Sequence, residues 1–212
     1  MDDIVLFHSA QKNRRSNLQS LPQQSLDILF NTARSHNGWK STGVTDEQLH
    51  NIYDLMKMGP TGANCCPARV QFVKTDEARE RLLSCVSEGN VEKCRTAPVV
   101  AVIGMDMEFY EKLPKLFPHT DARSWYVGND EVIANTAFRN STLQSAYFMM
   151  AARSLGLDCG PMTGFDADKM NAEFFPDGKI KINMICAIGH GDESKIFPRS
   201  PRLDFDEACH II

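Results

Sequence analysis

Pro98-Val99-Val100-Ala101-Val102-Ile103-Gly104 is the stretch on which the fold turns. Five apolar residues in a row, mostly β-branched, are far too few to cross a bilayer and have no polar face to give to water. They read as a strand buried on both sides, opened by Pro98 and closed by Gly104. Such a strand needs cover above and below, and the sequence on either side supplies it. Val70 and Phe72 alternate with Gln71 and Lys74 as a second strand, and Lys179 to Ile188 alternates into a third. Thr45 and Gln48 form a capping-box pair ahead of Leu49, Ile52, Tyr53 and Met56 at i, i+3, i+4, i+7, and Gly59-Pro60 stops that helix. Other helical patterns run from Gln23 to about Ser35, where Asn37-Gly38 tolerates positive φ, from Asp76 to Val86, and from Glu131 to Leu155. The last carries Leu143, Ala146, Tyr147, Met150 and Ala151 and stops at Gly156. Glu108 to Leu113 reads as a short helix and Pro114 to Gly128 as an irregular excursion. The expected class is α+β, a sheet with helices packed around it.

The length of 212 residues suits one domain, expected over 25–212, preceded by a polar, mobile arm over 1–24. A net charge of -4 gives no footprint for nucleic acid. No apolar run is long enough for a membrane span. The acidic Met1-Asp2-Asp3 start is unlike a secretory signal, so a cytoplasmic protein is expected. The seven cysteines are odd in number and contain no C-x-x-C, which argues against a disulfide framework or a zinc knuckle. Adjacent Cys65 and Cys66 cannot easily serve one tetrahedral metal, so no metal site is expected. Nothing in the sequence turns a histidine toward either thiol, so a cysteine hydrolase is poorly supported.

Four stretches combine small residues with a polar group: Arg34-Ser35-His36-Asn37, Pro60-Thr61-Gly62-Ala63-Asn64, Asn90-Val91-Glu92-Lys93, and Gly160-Pro161-Met162-Thr163-Gly164. Glycine and alanine beside a hydroxyl and an amide let a flat ligand approach the main chain, while Arg and Lys supply charge for a phosphate. Singly, each is weak; Pro-x-Gly-x-Asn alone is usually a turn.

Together and in this order, they resemble the nitroreductase superfamily of flavoenzymes. The resemblance implies a mixed, mainly antiparallel sheet surrounded by helices, in a domain-entwined homodimer with FMN at the interface. It implies that Arg34, Ser35 and Arg202 hold the FMN phosphate, and that Pro60, Thr61, Gly62 and Asn64 line the flavin from the other subunit. Asn90 and Lys93 would contact the ring edge and ribityl chain, with Pro161, Met162, Thr163 and Gly164 against the ring. Within the superfamily, several stretches are similar to the reductases that act on malonic semialdehyde in pyrimidine degradation. They are His36-Asn37-Gly38-Trp39, Ala63-Asn64-Cys65, Pro67-Ala68-Arg69, Leu116-Phe117-Pro118-His119, Asp121-Ala122-Arg123-Ser124-Trp125, Phe138-Arg139-Asn140-Ser141, Gly160-Pro161-Met162, Gly164-Phe165-Asp166 and Pro201-Arg202-Leu203. The similarity runs from about Leu26 to the C-terminus. Arg14-Arg15-Ser16 imitates the superfamily's basic start but lies too far upstream of Trp39.

The resemblance also implies a ping-pong cycle: NADPH or NADH reduces the flavin and leaves, and the reduced flavin passes hydride to a small aldehyde. No Gly-x-Gly-x-x-Gly joins a strand to a helix, so a Rossmann site for a resident nicotinamide is not expected; Gly189-His190-Gly191 reads as a loop. No obligatory catalytic acid is assigned. Arg69 and Arg123 are the candidates to anchor a substrate carboxylate, and His119 to protonate the alkoxide.

Overall fold

The computed structural model describes residues 20–212, so residues 1–19, with Arg14-Arg15-Ser16 and most of the expected arm, lie outside the described residues. The chain divides into two units between Ala33 and Arg34. In the first, an α-helical turn at Gln23–Leu26 passes into a π-helical stretch at Asp27–Asn31. The amide and hydroxyl of Thr32 both donate to the Asp27 carbonyl, at 2.9 and 2.8 Å. This five-residue closure ends the helix short of the Ser35 expected from periodicity.

The larger unit contains five longer helices and four strands. In chain order they are α1 (Asp46–Met56), β1 (Ala68–Val73), α2 (Asp76–Leu83), α3 (Glu88–Thr96), β2 (Val99–Asp106), α4 (Asp130–Ser154), β3 (Asp158–Met162), α5 (Ala167–Phe174) and β4 (Ile180–Gly189). The capping box of α1 is formed on both sides, with Gln48 N donating to Thr45 Oγ1 at 3.1 Å and Thr45 N to Gln48 Oε1 at 2.9 Å. Strand order is β1-β2-β4-β3, and every pairing in it is antiparallel. The parallel component of the expected mixed sheet is a single bridge from Ser35 to Cys159.

Alternation along β2 sorts its side chains onto two faces. Val100 and Val102 pack with Leu82, Met170, Phe174 and Ile185 in one core layer. Val99, Ala101 and Ile103 pack with Ile52, Met56, Phe148 and Ala152 in the other. One face of the sheet is thus covered by α2, α3 and α5, and the opposite face by α1 and α4.

Three elements differ from the reading of the sequence for identifiable reasons. β2 runs through Gly104 to Asp106, with a register shift between Ile103 and Gly104. A Cβ at Gly104 would lie 2.4 Å from Ile180 Cγ2 and 2.9 Å from the Phe175 ring, so the glycine admits a close neighbour instead of ending the strand. β3 contains Gly160 and Pro161, which read as breakers; the strand is at the sheet edge, where proline is tolerated. On α4 the buried face carries Asn140, Ser141, Gln144, Ser145 and Phe148, while Leu143 and Ala146 turn outward. Asn37 and Gly38 are also absent from the positive-φ positions. Among the described residues no helix is long and apolar enough to cross a membrane.

Gly104→Ala should destabilise the fold by about 1–3 kcal/mol, because Ile180 and the Phe175 ring must both move. A lower urea midpoint at unchanged slope would show this; an unaltered midpoint would mean that the neighbours yield freely.

Candidate functional site

The first polar grouping is assembled where the segment after Arg34 runs beside β3. His36 N donates to the Cys159 carbonyl at 3.0 Å, which lays Ser35 and His36 along the strand. At Gly160 the chains are so close that a Cβ would stand 2.6 Å from the His36 carbonyl oxygen, 3.2 Å from the Trp39 ring and 3.5 Å from Lys93 Cδ. Buried Trp39 donates its indole N–H to the Lys93 carbonyl at 3.1 Å, fixing that turn of α3 beside Gly160. One turn earlier, Asn90 Nδ2 donates to the Gly164 carbonyl at 2.9 Å. Ser35, Asn90, Lys93, Pro161 and Gly164 are therefore brought together from three separate segments. Met162 contributes backbone here: its side chain is in the core, with its sulfur 4.0 Å from Cys94 Sγ. Thr163 is exposed.

Lys93 is the distinctive charge of this grouping. It is half-buried and has no carboxylate partner among the described residues, and burial pushes its pKa below the ordinary 10.5. His36, also buried, places Nε2 3.3 Å from Asp158 Oδ1, while Asp158 Oδ2 accepts from Gly191 N at 2.8 Å. His36 Nδ1 has no hydrogen-bond partner. Asp158 thus ties β3 both to the segment after Arg34 and to the loop after β4.

The second grouping is the loop between α1 and β1. Ala63 and Asn64 both have φ of 49° and Cys66 has 41°, left-handed conformations without glycine. Such residues cost roughly 1–2 kcal/mol each, somewhat less for asparagine, so surrounding bonds must hold them. Cys66 N donates to Thr61 Oγ1 at 3.2 Å, and Gly62 N donates to Asn140 Oδ1 at 2.7 Å. Asn64 Nδ2 donates to the Leu116 carbonyl at 2.9 Å, joining the loop to the irregular excursion. Cys65 is buried beneath, and burial pushes its thiol up to about 11, where it is no nucleophile at neutral pH.

The expected substrate contacts are not gathered with either grouping as free cations. Arg69 holds Asp106 at 2.5 Å and also donates to the carbonyls of Cys66 and Ala68, so its guanidinium is committed within the fold. Arg123 grips Glu111 with two bonds, at 2.8 and 2.7 Å; its sequence neighbour Asp121 instead caps the turn at Ser124 N. The pair with Arg123 holds the Glu111 carboxyl below its ordinary range. His119 is exposed and edge-on to Phe117, with ring centroids 5.4 Å apart. Arg34 donates to the Phe197 carbonyl, and exposed Arg202 donates to the carbonyls of Ser200 and Pro201. Asp158 belongs to the first grouping although the sequence does not single it out, and Asn140, present in the sequence reading only within Phe138-Arg139-Asn140-Ser141, is given no role there; its legible signal is an amide on the apolar side of a long helix.

A model of the Nitroreductase family matches residues 32–190. The chain is 62% identical over 192 residues to a Polynucleobacter asymbioticus protein with the provisional name NADH dehydrogenase/NAD(P)H nitroreductase, covering 91% of this chain and 98% of the relative. A Ralstonia nicotianae protein of the same provisional name is 55% identical over 195 residues, covering 92% of this chain and 100% of that one. Among solved structures, a provisionally named nitroreductase of Exiguobacterium sibiricum in complex with FMN superposes with a TM-score of 0.80 at 18% identity, over 92% of this chain and 100% of that one.

Lys93 supplies a test needing no ligand. The unfolded chain binds its proton more tightly than the folded one, so folding is penalised while Lys93 is charged, and the penalty fades as pH rises toward 10.5. Lys93→Met removes that penalty at every pH. Urea titrations at pH 7 and pH 10 should show wild type gaining on the variant at the higher pH; a constant or reversed difference would show that Lys93 carries no desolvation strain.

Proposed function

We propose, because the chain belongs to the nitroreductase family, that it is an NAD(P)H-dependent FMN oxidoreductase. In this reading it acts as a homodimer and reduces malonic semialdehyde to 3-hydroxypropionate in pyrimidine degradation. The observation that carries the flavin assignment is Lys93, a half-buried cation without a carboxylate, close to Asn90 and to a bare Gly160 backbone. A planar, electron-rich group suits that charge: the close packing at Gly160 holds Lys93 beside β3, and the ammonium gains a partner. FMN, when bound, supplies the two-electron carrier between the nicotinamide and the acceptor.

The chain's own residues would bind and orient. Lys93 would hold the flavin and place positive charge beside it. Asn90 is held beside that segment by the bond from its Nδ2 to the Gly164 carbonyl, and is assigned to the ring edge. Arg34, Ser35 and Arg202 are assigned to the phosphate; the guanidiniums have five N–H donors each and spend part of them on carbonyls. Pro60, Thr61, Gly62 and Asn64 are assigned to the flavin of the partner copy. A dimer is supported by large apolar side chains facing outward: Phe138 and Leu143 on α4 are 53% and 45% exposed, and Phe197 is 73% exposed. The tail from Phe197 to Ile212 is exposed throughout.

For the acceptor, Arg123 is the better carboxylate anchor. Its pairing with Glu111 is exposed and exchangeable, whereas Arg69 is fixed by Asp106 and two carbonyls. The substrate carboxylate would take the place of Glu111, hydride would reach the aldehyde carbon, and an imidazolium at His119 would give its proton to the resulting alkoxide. A broader nitro- or quinone-reductase activity is the second reading. It is favoured by the same fact, that both arginines already have carboxylate partners, and by the names of the relatives.

The purified protein should be yellow and lose that colour on anaerobic mixing with NADPH or NADH. Persistence of the colour would mark a flavin-binding protein without this activity. Arg123→Gln should raise KM for malonic semialdehyde about tenfold with bound FMN unchanged. Loss of FMN, or an unchanged KM, removes Arg123 from this role, and a higher kcat/KM for nitroaromatics than for the semialdehyde would favour the second reading.

A further inference from the structure

One face of α4 carries three polar side chains that all reach the loop between α1 and β1. Asn140, Gln144 and Tyr147 stand at i, i+4 and i+7, one above another on the helix. Tyr147 OH donates to the Pro60 carbonyl at 2.9 Å, where the loop begins. Asn140 Oδ1 accepts from Gly62 N at 2.7 Å, just before the first left-handed residue. Gln144 Oε1 accepts from Ala68 N at 2.8 Å, where the loop enters β1. Asn140 is 8% and Gln144 2% exposed, in a buried face shared with Ser141 and Ser145 and with the apolar Ile133, Ala137, Phe148, Ala151 and Ala152.

Burying two carboxamides against apolar neighbours is unfavourable unless each bond is used, and here they are used on backbone amides of another segment. Asn140 is itself oriented: its Nδ2 donates to the Thr136 carbonyl one turn back, at 2.9 Å, leaving the oxygen to face Gly62. The bonds leave the helix at a spacing fixed by the helical repeat, so they fix the distances between Pro60, Gly62 and Ala68. Between those points the chain passes through left-handed Ala63, Asn64 and Cys66. Freed of its anchors, such a segment would relax to ordinary turn conformations.

We propose that Asn140, Gln144 and Tyr147 are positioning residues, a three-point clamp by which α4 holds the 60–68 loop in its strained shape before any ligand arrives. The inference rests on the flavin reading for its purpose, since the clamped loop is the one assigned to line FMN. Its mechanical content does not depend on that reading. The clamp presets the loop, so binding does not have to order it.

The test uses the full-length protein, with FMN as probe. Amide exchange in the FMN-free protein should show Gly62 and Ala68 protected. Asn140→Leu should expose Gly62 to rapid exchange, leave the β2 amides protected, and weaken FMN binding about tenfold by fluorescence quenching. Asn140→Asp gives a readout that simple loss of packing would not produce. While its carboxyl is protonated it can still donate to Thr136 O and accept from Gly62 N; once ionised it sets a charge against the Thr136 carbonyl. FMN affinity of that variant should therefore be near wild type at acid pH and fall as pH rises, with wild type lacking this fall. Tyr147→Phe, which removes one hydroxyl from a partly exposed ring, serves if the Asn140 variants do not fold, and should weaken FMN binding severalfold. Gly62 protection equal in wild type and Asn140→Leu would overturn the clamp, as would unchanged FMN affinity in Asn140→Leu or, where that variant does not fold, in Tyr147→Phe. Should wild type bind no FMN, the flavin reading fails by itself, and Gly62 exchange alone then upholds or overturns the clamp.

Discussion

β2 has no face of its own to offer solvent. It is hydrogen-bonded to β1 along one edge and to β4 along the other, and Val99 to Ile103 are all essentially buried. Removing so much apolar surface from water is the dominant gain available to this chain, and it is realised only if helices close both sides of the sheet. α1 and α4 close one and α2, α3 and α5 the other. The position of every polar segment is set by that constraint. α3 must lie against β2 and β4, so Asn90 and Lys93 end up beside β3; α4 must lie across the opposite face, so its amides meet the loop that leads into β1.

The two polar groupings differ in how rigid they are, and the difference has chemical meaning. Around Gly160 the main chain itself makes the wall, with His36, Trp39 and Lys93 packed onto a residue that has no side chain. The charge there is unmatched: burial works against the ammonium of Lys93 and nothing acidic offsets it among the described residues. At the 60–68 loop the reverse holds. Conformational strain is present, and the strained stretch is flanked by hydrogen bonds to more regular elements. One region holds an electrostatic demand and the other a shape.

Local signals are legible wherever a few neighbouring residues decide the structure. The Thr45–Gln48 box, the β2 run and the stop at Gly156, which has φ of 77°, each depend on a handful of side chains. The order of the four polar stretches also exposes the family. Elements fixed by partners distant in sequence are not legible. α3 begins Glu88-Gly89-Asn90, where Gly89 and Asn90 are poor helix formers that gain their place from packing, and β3 contains the pair Gly160-Pro161. The fate of the cations is equally hidden: Asp106 lies 37 residues from Arg69 and Glu111 twelve from Arg123, and no periodicity announces such pairs. The face of α4 is misleading in sequence because Leu143 and Ala146 look like core until the amides at 140 and 144 are seen to be satisfied elsewhere.

Pro161 has a consequence for how the sheet can grow. It sits on the terminal strand of the order β1-β2-β4-β3, bringing no N–H, and two residues before it the Cys159 carbonyl is already taken by His36. That margin cannot template an incoming polypeptide along its length, as a bare terminal strand would. Association by strand addition, whether productive or leading to fibres, is thereby steered to the far margin at β1.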